Sequence, residues 1–168
     1  MMNKRVAAIA LLAFLPATGS ACSMYRSPEF YPRAATQTTK SPPQLQVRKV
    51  NFVAQVRSDT SCDGIGFITI ELSGPASRDI DRYGVFIREQ AGSNGEAPLP
   101  THPIKPTRAE NGAAILHWAW TSLSADADGE VRWKLELVPV SRSGMLGTPI
   151  PLCVASDDSC PPLAGDRP

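Results

Sequence analysis

From Leu45 onward, hydrophobic and polar side chains alternate at every second position, which is the period of a half-buried β-strand. In Val47–Arg57, for example, Val50, Phe52, Ala54 and Val56 form an apolar face opposite Lys49, Asn51, Gln55 and Arg57. Similar segments with turn signals between them are Ile68–Leu72, Tyr83–Glu89, Ala113–Thr121, Val131–Leu137 and Thr148–Val154. No segment has a helical period, so the pattern predicts an all-β, antiparallel sandwich of six or seven short strands over residues 45–155.

The segment Ala97–Thr107 interrupts this pattern with four prolines, at Pro98, Pro100, Pro103 and Pro106. Proline has no backbone N–H to donate, so the segment is predicted to be a sheet edge or a polyproline-like crossing rather than a central strand. A polyproline segment can also bind a partner. The four prolines and Phe86, whose strand neighbours Val85 and Ile87 should point inward, are therefore the candidate partner-binding residues.

The chain ahead of the sandwich, residues 22–44, lacks a sustained period and is rich in Ser, Thr, Pro and Gln. This composition predicts a disordered or extended linker that tethers the domain. Its aromatic side chains, Tyr25, Phe30 and Tyr31, could instead dock on the domain or on a partner. Residues 156–168 are predicted to be a C-terminal tail.

The first 21 residues have the organisation of a cleavable signal peptide. Lys4 and Arg5 precede the ten apolar residues of Val6–Leu15, and small residues follow at 17–21. About 20 apolar residues are needed to span a bilayer, so this run is too short for a permanent transmembrane helix. The sequence therefore predicts an exported protein.

The residues at the end of the signal, Gly19-Ser20-Ala21-Cys22, resemble the lipobox of bacterial lipoproteins. That resemblance implies that Cys22 is lipidated and becomes the new N-terminus, although Gly19 stands where leucine is usual. Ser23 in place of Asp implies the outer membrane, with the domain facing the periplasm or the cell surface. Ordinary signal peptidase could also cleave here, which would leave a soluble periplasmic or secreted protein.

Net charge and residue spacing argue against several other functions. The mature chain keeps 15 basic and 16 acidic side chains, and so has no general attraction for nucleic acid. The four cysteines lack the paired spacing of a zinc site, and Asp126, Asp128 and Glu130 fall short of a calcium loop. No nucleophile motif accompanies His102 or His117. No catalytic residue, metal or cofactor is predicted.

One hairpin suggests a fold family. Residues 133–144, an alternating strand that runs into a Ser143-Gly144 turn, followed by Thr148–Val154, resemble the closing hairpin of fibronectin type III-like domains. Leu123 ahead of Trp133 is similar to the corner of that fold, with Trp where the family prefers Tyr. The resemblance implies an immunoglobulin-like or fibronectin III-like sandwich, a fold that mostly binds or spaces other molecules.

The same strand order has an implication for the disulfides, which export would allow to persist. The first and last strands would run in the same direction, which places Cys62 at the same pole as Cys153 and Cys160. The resemblance thus implies a bridge between Cys62 and Cys160, or Cys62 and Cys153. A local Cys153–Cys160 bridge is the competing interpretation.

The leading hypothesis from sequence is a non-enzymatic envelope lipoprotein whose sandwich binds or spaces a protein or cell-wall partner. One alternative is a periplasmic inhibitor or immunity-type protein that blocks a partner enzyme. Another is a hydrolase, which would need His102 or His117 paired with an Asp in a pocket.

Overall fold

The computed structural model describes residues 25–33, 40–55, 63–94, 97–121, 131–157 and 159–161. The predicted signal peptide (1–21), Cys22, Cys62, Leu123 and residues 126–130 lie outside these ranges. The predictions of a signal peptide and of lipidation at Cys22 therefore stay predictions.

Seven strands form two antiparallel sheets. The strands are β1 (Val47–Val53), β2 (Ile65–Leu72), β3 (Tyr83–Glu89), β4 (Thr107–Arg108), β5 (Ala114–Thr121), β6 (Arg132–Ser141) and β7 (Ile150–Ala155). The first sheet has the order β1-β2-β5-β4 and the second the order β3-β6-β7. The predicted all-β class with seven strands in two antiparallel sheets is confirmed. The one helix in the described residues is a single turn, α1 (Pro75–Arg78), between β2 and β3.

Inward side chains from both sheets share one hydrophobic core, as the alternation predicted. In β6, Trp133, Leu135 and Leu137 are fully buried, whereas Arg132 and Lys134 are exposed. Trp133 from the second sheet packs edge-on against Trp120 and Phe52 from the first, with ring centroids 5.3 and 5.1 Å apart. The three tryptophans are therefore core residues, and the two sheets are joined through aromatic contacts.

β6 continues beyond the predicted Val131–Leu137, and there both faces are buried: Val138 and Val140, which point outward, are buried along with the inward residues. Val140 pairs with Gly84 of β3, and the ring of Phe30 lies against Gly84. The outer face of the second sheet is thus covered at this end by a segment that precedes the sandwich in sequence.

That segment, residues 25–33, is here called the strap. The backbone N–H of Phe30 donates to the carbonyl of Pro103 at 2.7 Å, and Arg33 donates to the carbonyl of Arg142 at 2.6 Å. Phe30 is 6% exposed. The prediction of a disordered linker over 22–44 is therefore wrong for residues 25–33, because their backbone and one large apolar side chain are satisfied by the domain.

The proline segment, residues 97–106, runs along a sheet edge, which confirms that part of the prediction. Ile104 exchanges backbone hydrogen bonds with Val85 of β3 at 2.8 and 3.0 Å, and it also bridges Glu29 of the strap. The chain then crosses to the first sheet, where β4 pairs with β5. Pro103 and Pro106 are buried, whereas Pro98 and Pro100 are half-buried.

The disulfide in the described residues joins Cys153 to Cys160, with the two Cα atoms 5.5 Å apart. The preferred prediction, a bridge from Cys62 to Cys160, is wrong because Cys160 is already paired with Cys153, and so is the variant that joined Cys62 to Cys153. The bridge fastens the chain after β7 back onto that strand.

A buried tyrosine fixes the connection that leads into β3. The hydroxyl of Tyr83, at the start of β3, donates to the carbonyl of Ala76 in α1 at 2.9 Å. Trp133 Nε1 is also buried, and within the described ranges it has no hydrogen-bond partner. Tyr83 thus fixes the connection between β2 and β3, where the chain changes sheets.

Candidate binding cavity

A cavity of about 330 Å³ lies where the strap, the proline segment and β5 meet. Its volume is at the low end of ligand-binding cavities, which run from roughly 300 to 1,000 Å³. The described residues that line it are Arg26, Ser27 and Glu29 of the strap, Pro98, Leu99, Pro100, Thr101 and Ile104 of the proline segment, and Trp118, Ala119 and Trp120 of β5. The cavity therefore has an apolar wall on two sides and a polar one on the third.

Two tryptophans of β5 line the cavity with different hydrogen bonding. Trp120 Nε1 donates to the carbonyl of Ala54 at 3.1 Å. Trp118 is 2% exposed, and its Nε1 has no hydrogen-bond partner among the described residues. A buried N–H without an acceptor costs free energy, so the Trp118 side of the cavity holds an unmet donor.

Ser27 positions the strap on the edge of β5. Its backbone N–H donates to the carbonyl of His117 at 2.7 Å, and its Oγ accepts from the N–H of His117 at 2.9 Å. Ser27 is 4% exposed. Because the buried Ser27 uses both its backbone N–H and its hydroxyl oxygen in hydrogen bonds to His117, the strap is fixed in one register beside β5.

The imidazole of His117 lies on the outer face of the first sheet, opposite the buried side chains of Leu116 and Trp118. Its Nδ1 is 2.6 Å from Thr69 Oγ1, and its ring is flanked by Tyr25 and Phe67 with centroids 5.7 and 5.9 Å away. Partial burial among these groups lowers the pKa of His117 below its usual value. His117 is thus half-buried rather than a free surface residue, and its role is to support the strap.

The carboxylate of Glu29 forms an exposed cluster at the rim of the cavity. Glu29 accepts a hydrogen bond from the Tyr31 hydroxyl and lies 3.8 Å from His102 Nδ1. Thr101 Oγ1 is 3.0 Å from the same Nδ1. A nucleophile–base–acid relay needs its carboxylate and its hydroxyl on opposite ring nitrogens. Because both groups here approach Nδ1, this cluster is not arranged as a hydrolase relay.

Arg26 is the other charged residue in the cavity wall. Its side chain is exposed, and no carboxylate of the described residues lies within 4.0 Å of it. Glu29 is already engaged by Tyr31 and His102. Arg26 is therefore the cation of the lining that no described carboxylate pairs with, and the exposed Glu29 adds a negative charge at the rim.

The residues predicted to bind a partner do not come together. Pro98 and Pro100 line the cavity, but Pro103 and Pro106 are buried and are not among its lining residues. Phe86 is absent from the lining residues and is half-buried, with the guanidinium of Arg88 5.4 Å above its ring. The Arg88 guanidinium thus lies over part of the Phe86 ring in a cation–π contact.

Sequence reasoning missed the strap residues Arg26, Ser27 and Glu29, since their segment has the composition of a linker. The signal that could have found them is Phe30, a large apolar side chain within a polar run. Phe30 is buried against the domain, whereas Tyr25 and Tyr31 of the same segment stay exposed, so the aromatic residues alone did not determine which one docks.

Within the described ranges, no three His, Cys, Asp or Glu side chains come close enough to hold a metal ion. The same ranges contain no helix with the length and apolar character needed to cross a bilayer. No protein-family model matches the chain, and neither a curated protein nor a solved structure matches it.

Proposed function

We propose that this protein is a non-enzymatic, exported envelope module that binds a partner in the cavity between the strap, the proline segment and β5. The observation that carries the proposal is the wall of that cavity. Trp118, Leu99 and the prolines give it an apolar surface, and Arg26 gives it a charge that no described carboxylate neutralises. Such a combination is typical of binding sites, where apolar surface supplies affinity and a few polar groups orient the ligand.

The proposal includes an immunoglobulin-like fold, which the strand order supports. Named A to G in chain order, the strands give sheets A-B-E-D and C-F-G, which is the arrangement of constant-type immunoglobulin domains. Domains of this architecture present loops and edges on a rigid core, and the cavity lies at such an edge. This argument concerns architecture alone, and the function rests on the cavity.

An envelope location is proposed from the signal-like residues 1–21 and from the disulfide. A Cys153–Cys160 bridge persists in oxidising compartments such as the periplasm and is rare in the cytosol. We further propose that Cys22 carries the lipid that anchors the protein in the outer membrane.

Lipidation of Cys22 would hold the domain close to the membrane. Four residues separate Cys22 from Ser27, where the strap first bonds β5. At roughly 3.6 Å per extended residue, the anchor would lie less than about 20 Å from the edge of β5. The cavity would then face partners at the membrane surface rather than molecules far out in the periplasm.

Mass spectrometry of the mature N-terminus tests the anchor. A triacylated Cys22 is expected. An unmodified cysteine, or a chain that still carries residues 1–21, would contradict the proposed anchor.

Site-specific photocrosslinking in intact cells tests the binding function. A photoreactive residue replaces Thr101, which is exposed at the cavity, and the control replaces Glu110, which is exposed in the turn between β4 and β5. A discrete crosslinked envelope partner is expected from position 101 and not from position 110. Equal crosslinking from both positions, or none from either, would contradict a partner site at the cavity.

A further inference from the structure

Along β5, the backbone N–H and C=O groups of successive residues point alternately toward β2 and away from it, as in any antiparallel ladder. The N–H of His117 is used by Ser27 Oγ, so it cannot bond β2. The pair Thr69–His117 is therefore a non-hydrogen-bonded pair of the β2–β5 ladder. The 2.6 Å contact between Thr69 Oγ1 and His117 Nδ1 fits this assignment, because side chains approach more closely in such pairs.

Residues two positions apart on β5 share this orientation, and their N–H and C=O groups point away from β2. The carbonyl of Ala113 accepts from Ala109 at 2.9 Å, Ile115 pairs with Thr107 of β4, and His117 pairs with Ser27. The next residue with this orientation is Ala119. The register between β2 and β5 is unbroken from Ala114 to Thr121, so Ala119 also presents its N–H and C=O to this edge.

Ala119 has no hydrogen-bond partner on this edge among the described residues, although it is 5% exposed. It lies in the wall of the cavity, between Trp118 and Trp120. The outward-facing residues that precede Ala119 pair first with β4 and then with the strap. The cavity lies beside the next outward-facing residue, where one more extended segment has room to pair with β5.

We propose that the cavity takes an extended peptide, which adds as a strand beside β5 at Ala119 and places a carboxylate near Arg26. This proposal rests on the binding function proposed above and names its ligand class. An extended backbone offers the donor and the acceptor that the two free groups of Ala119 need. Leu99, Pro100 and Trp118 then contact alternate side chains of the peptide, and the unpaired Arg26 attracts its carboxylate.

The direct test is binding of the capped peptide acetyl-Thr-Val-Glu-Val-Thr-amide to the purified, ¹⁵N-labelled protein, followed by NMR. The amide signals of Ala119 and its neighbours are expected to shift at millimolar peptide, and the Ala119 amide is expected to exchange more slowly with solvent. Exchanging Glu for Gln in the peptide is expected to weaken binding about threefold or more, and Arg26→Gln is expected to remove that preference. Shifts confined to another edge, or no binding at millimolar peptide, would overturn the proposal.

Backbone methylation of the peptide separates strand addition from simple apolar contact. N-methylation of both valines removes the donors on one edge of the extended peptide, and N-methylation of the two threonines and the glutamate removes those on the other. One of these two methylated peptides is expected to bind at least tenfold more weakly than the unmodified peptide. The other should keep an affinity within about threefold of the unmodified peptide. Equal weakening of binding by the two methylated peptides would contradict strand addition. Because this test uses the wild-type protein, it does not depend on whether a variant folds.

A protein variant distinguishes a failure of strand addition from a failure of the binding function proposed above. Ala119→Pro removes the outward N–H without removing a ladder bond to β2, and the matched control Ala119→Val keeps it. Peptide binding should be lost in Ala119→Pro and retained in the control. If Thr101 crosslinking in cells persists in Ala119→Pro, the binding function stands and strand addition is wrong. If crosslinking is also absent in the wild type, the binding function itself is wrong.

Discussion

The ring of Phe30 packs directly on the backbone of Gly84. A Cβ atom built at Gly84 would lie 2.5 Å from both Cβ and Cγ of Phe30. Glycine at this position of β3 therefore makes room for the strap, which comes from more than 50 residues earlier in the chain. The contact couples the docking of the strap to the second sheet.

The first prediction follows from this contact. Gly84→Ala should destabilise the fold by about 1–3 kcal/mol, because the added methyl group overlaps Phe30 and forces the strap outward. Phe30→Ala should cost roughly 3 kcal/mol by removing a buried ring. The double variant is expected to lose less than the sum, since the methyl group added at position 84 meets no ring once Phe30 is gone. Urea unfolding of the three variants measures this, and strict additivity would contradict the contact.

The second prediction concerns Tyr83 and alkaline pH. Burial raises the pKa of the Tyr83 hydroxyl well above its usual range, and the carboxylate of Asp79 adds to the shift, opposed by Arg108. In the folded state Tyr83 therefore stays neutral while the unfolded chain ionises near pH 10. The stability that this group contributes is complete below pH 10 and is lost as the pH rises above it.

Tyr83→Phe should cost about 1 kcal/mol at pH 7, because the hydrogen bond to the Ala76 carbonyl is lost. Above pH 10 the free energy of unfolding should fall less steeply for the variant than for the wild type. Urea titrations at pH 7, 9 and 10.5 compare the two proteins. Parallel curves would show that Tyr83 does not titrate differently in the folded and unfolded states.

The third prediction compares two tryptophans on the same face of β5. Trp120→Phe removes the hydrogen bond to Ala54 and leaves that carbonyl without its partner, whereas Trp118→Phe removes an N–H that had none. Both substitutions remove a similar volume from the core. Trp120→Phe is therefore expected to destabilise the protein by about 1 kcal/mol more than Trp118→Phe. Thermal unfolding followed by circular dichroism tests this, and the reverse order would contradict the assigned hydrogen bonds.

The fourth prediction concerns the disulfide. Cleavage of the unreduced protein at Asp157 should leave the fragments with Cys153 and Cys160 joined, and reduction should separate them. Cys160→Ser should lower the free energy of unfolding by about 2–3 kcal/mol, since a short loop is no longer closed in the unfolded chain. Recovery of Cys160 linked to a peptide that contains Cys62 would contradict the structure.

Local sequence patterns predicted most of the strands correctly. The alternation from Tyr83 to Glu89 matches β3 at both ends, and the predicted segment Ala113–Thr121 contains β5, whose alternate residues Leu116, Trp118 and Trp120 are buried. These predictions succeed because a strand with one buried face must repeat at every second residue, and that repeat is visible without knowing what covers the face. The predicted ends of β1 and β7 were less accurate. The prediction extended the first strand to Arg57 and began the last at Thr148, whereas β1 stops at Val53 and β7 starts at Ile150.

The cavity could not be predicted in this way. Ser27 and Ala119 are 92 positions apart, and nothing in either local sequence indicates that they lie along one edge. The half of β6 that is buried on both faces was equally hidden, because its cover depends on where Phe30 docks.

The sequence by itself determined the all-β class, the inward faces of the strands and the edge position of the prolines, since these follow from side-chain period and from the missing N–H of proline. The tertiary structure alone decided that the strap docks, that Cys153 pairs with Cys160, and that Ala119 keeps an open edge beside Arg26. The physical reason is that such pairings depend on backbone groups and surfaces contributed by segments far apart in the chain. The local sequence of each segment has no periodic pattern that identifies the distant segment with which it pairs.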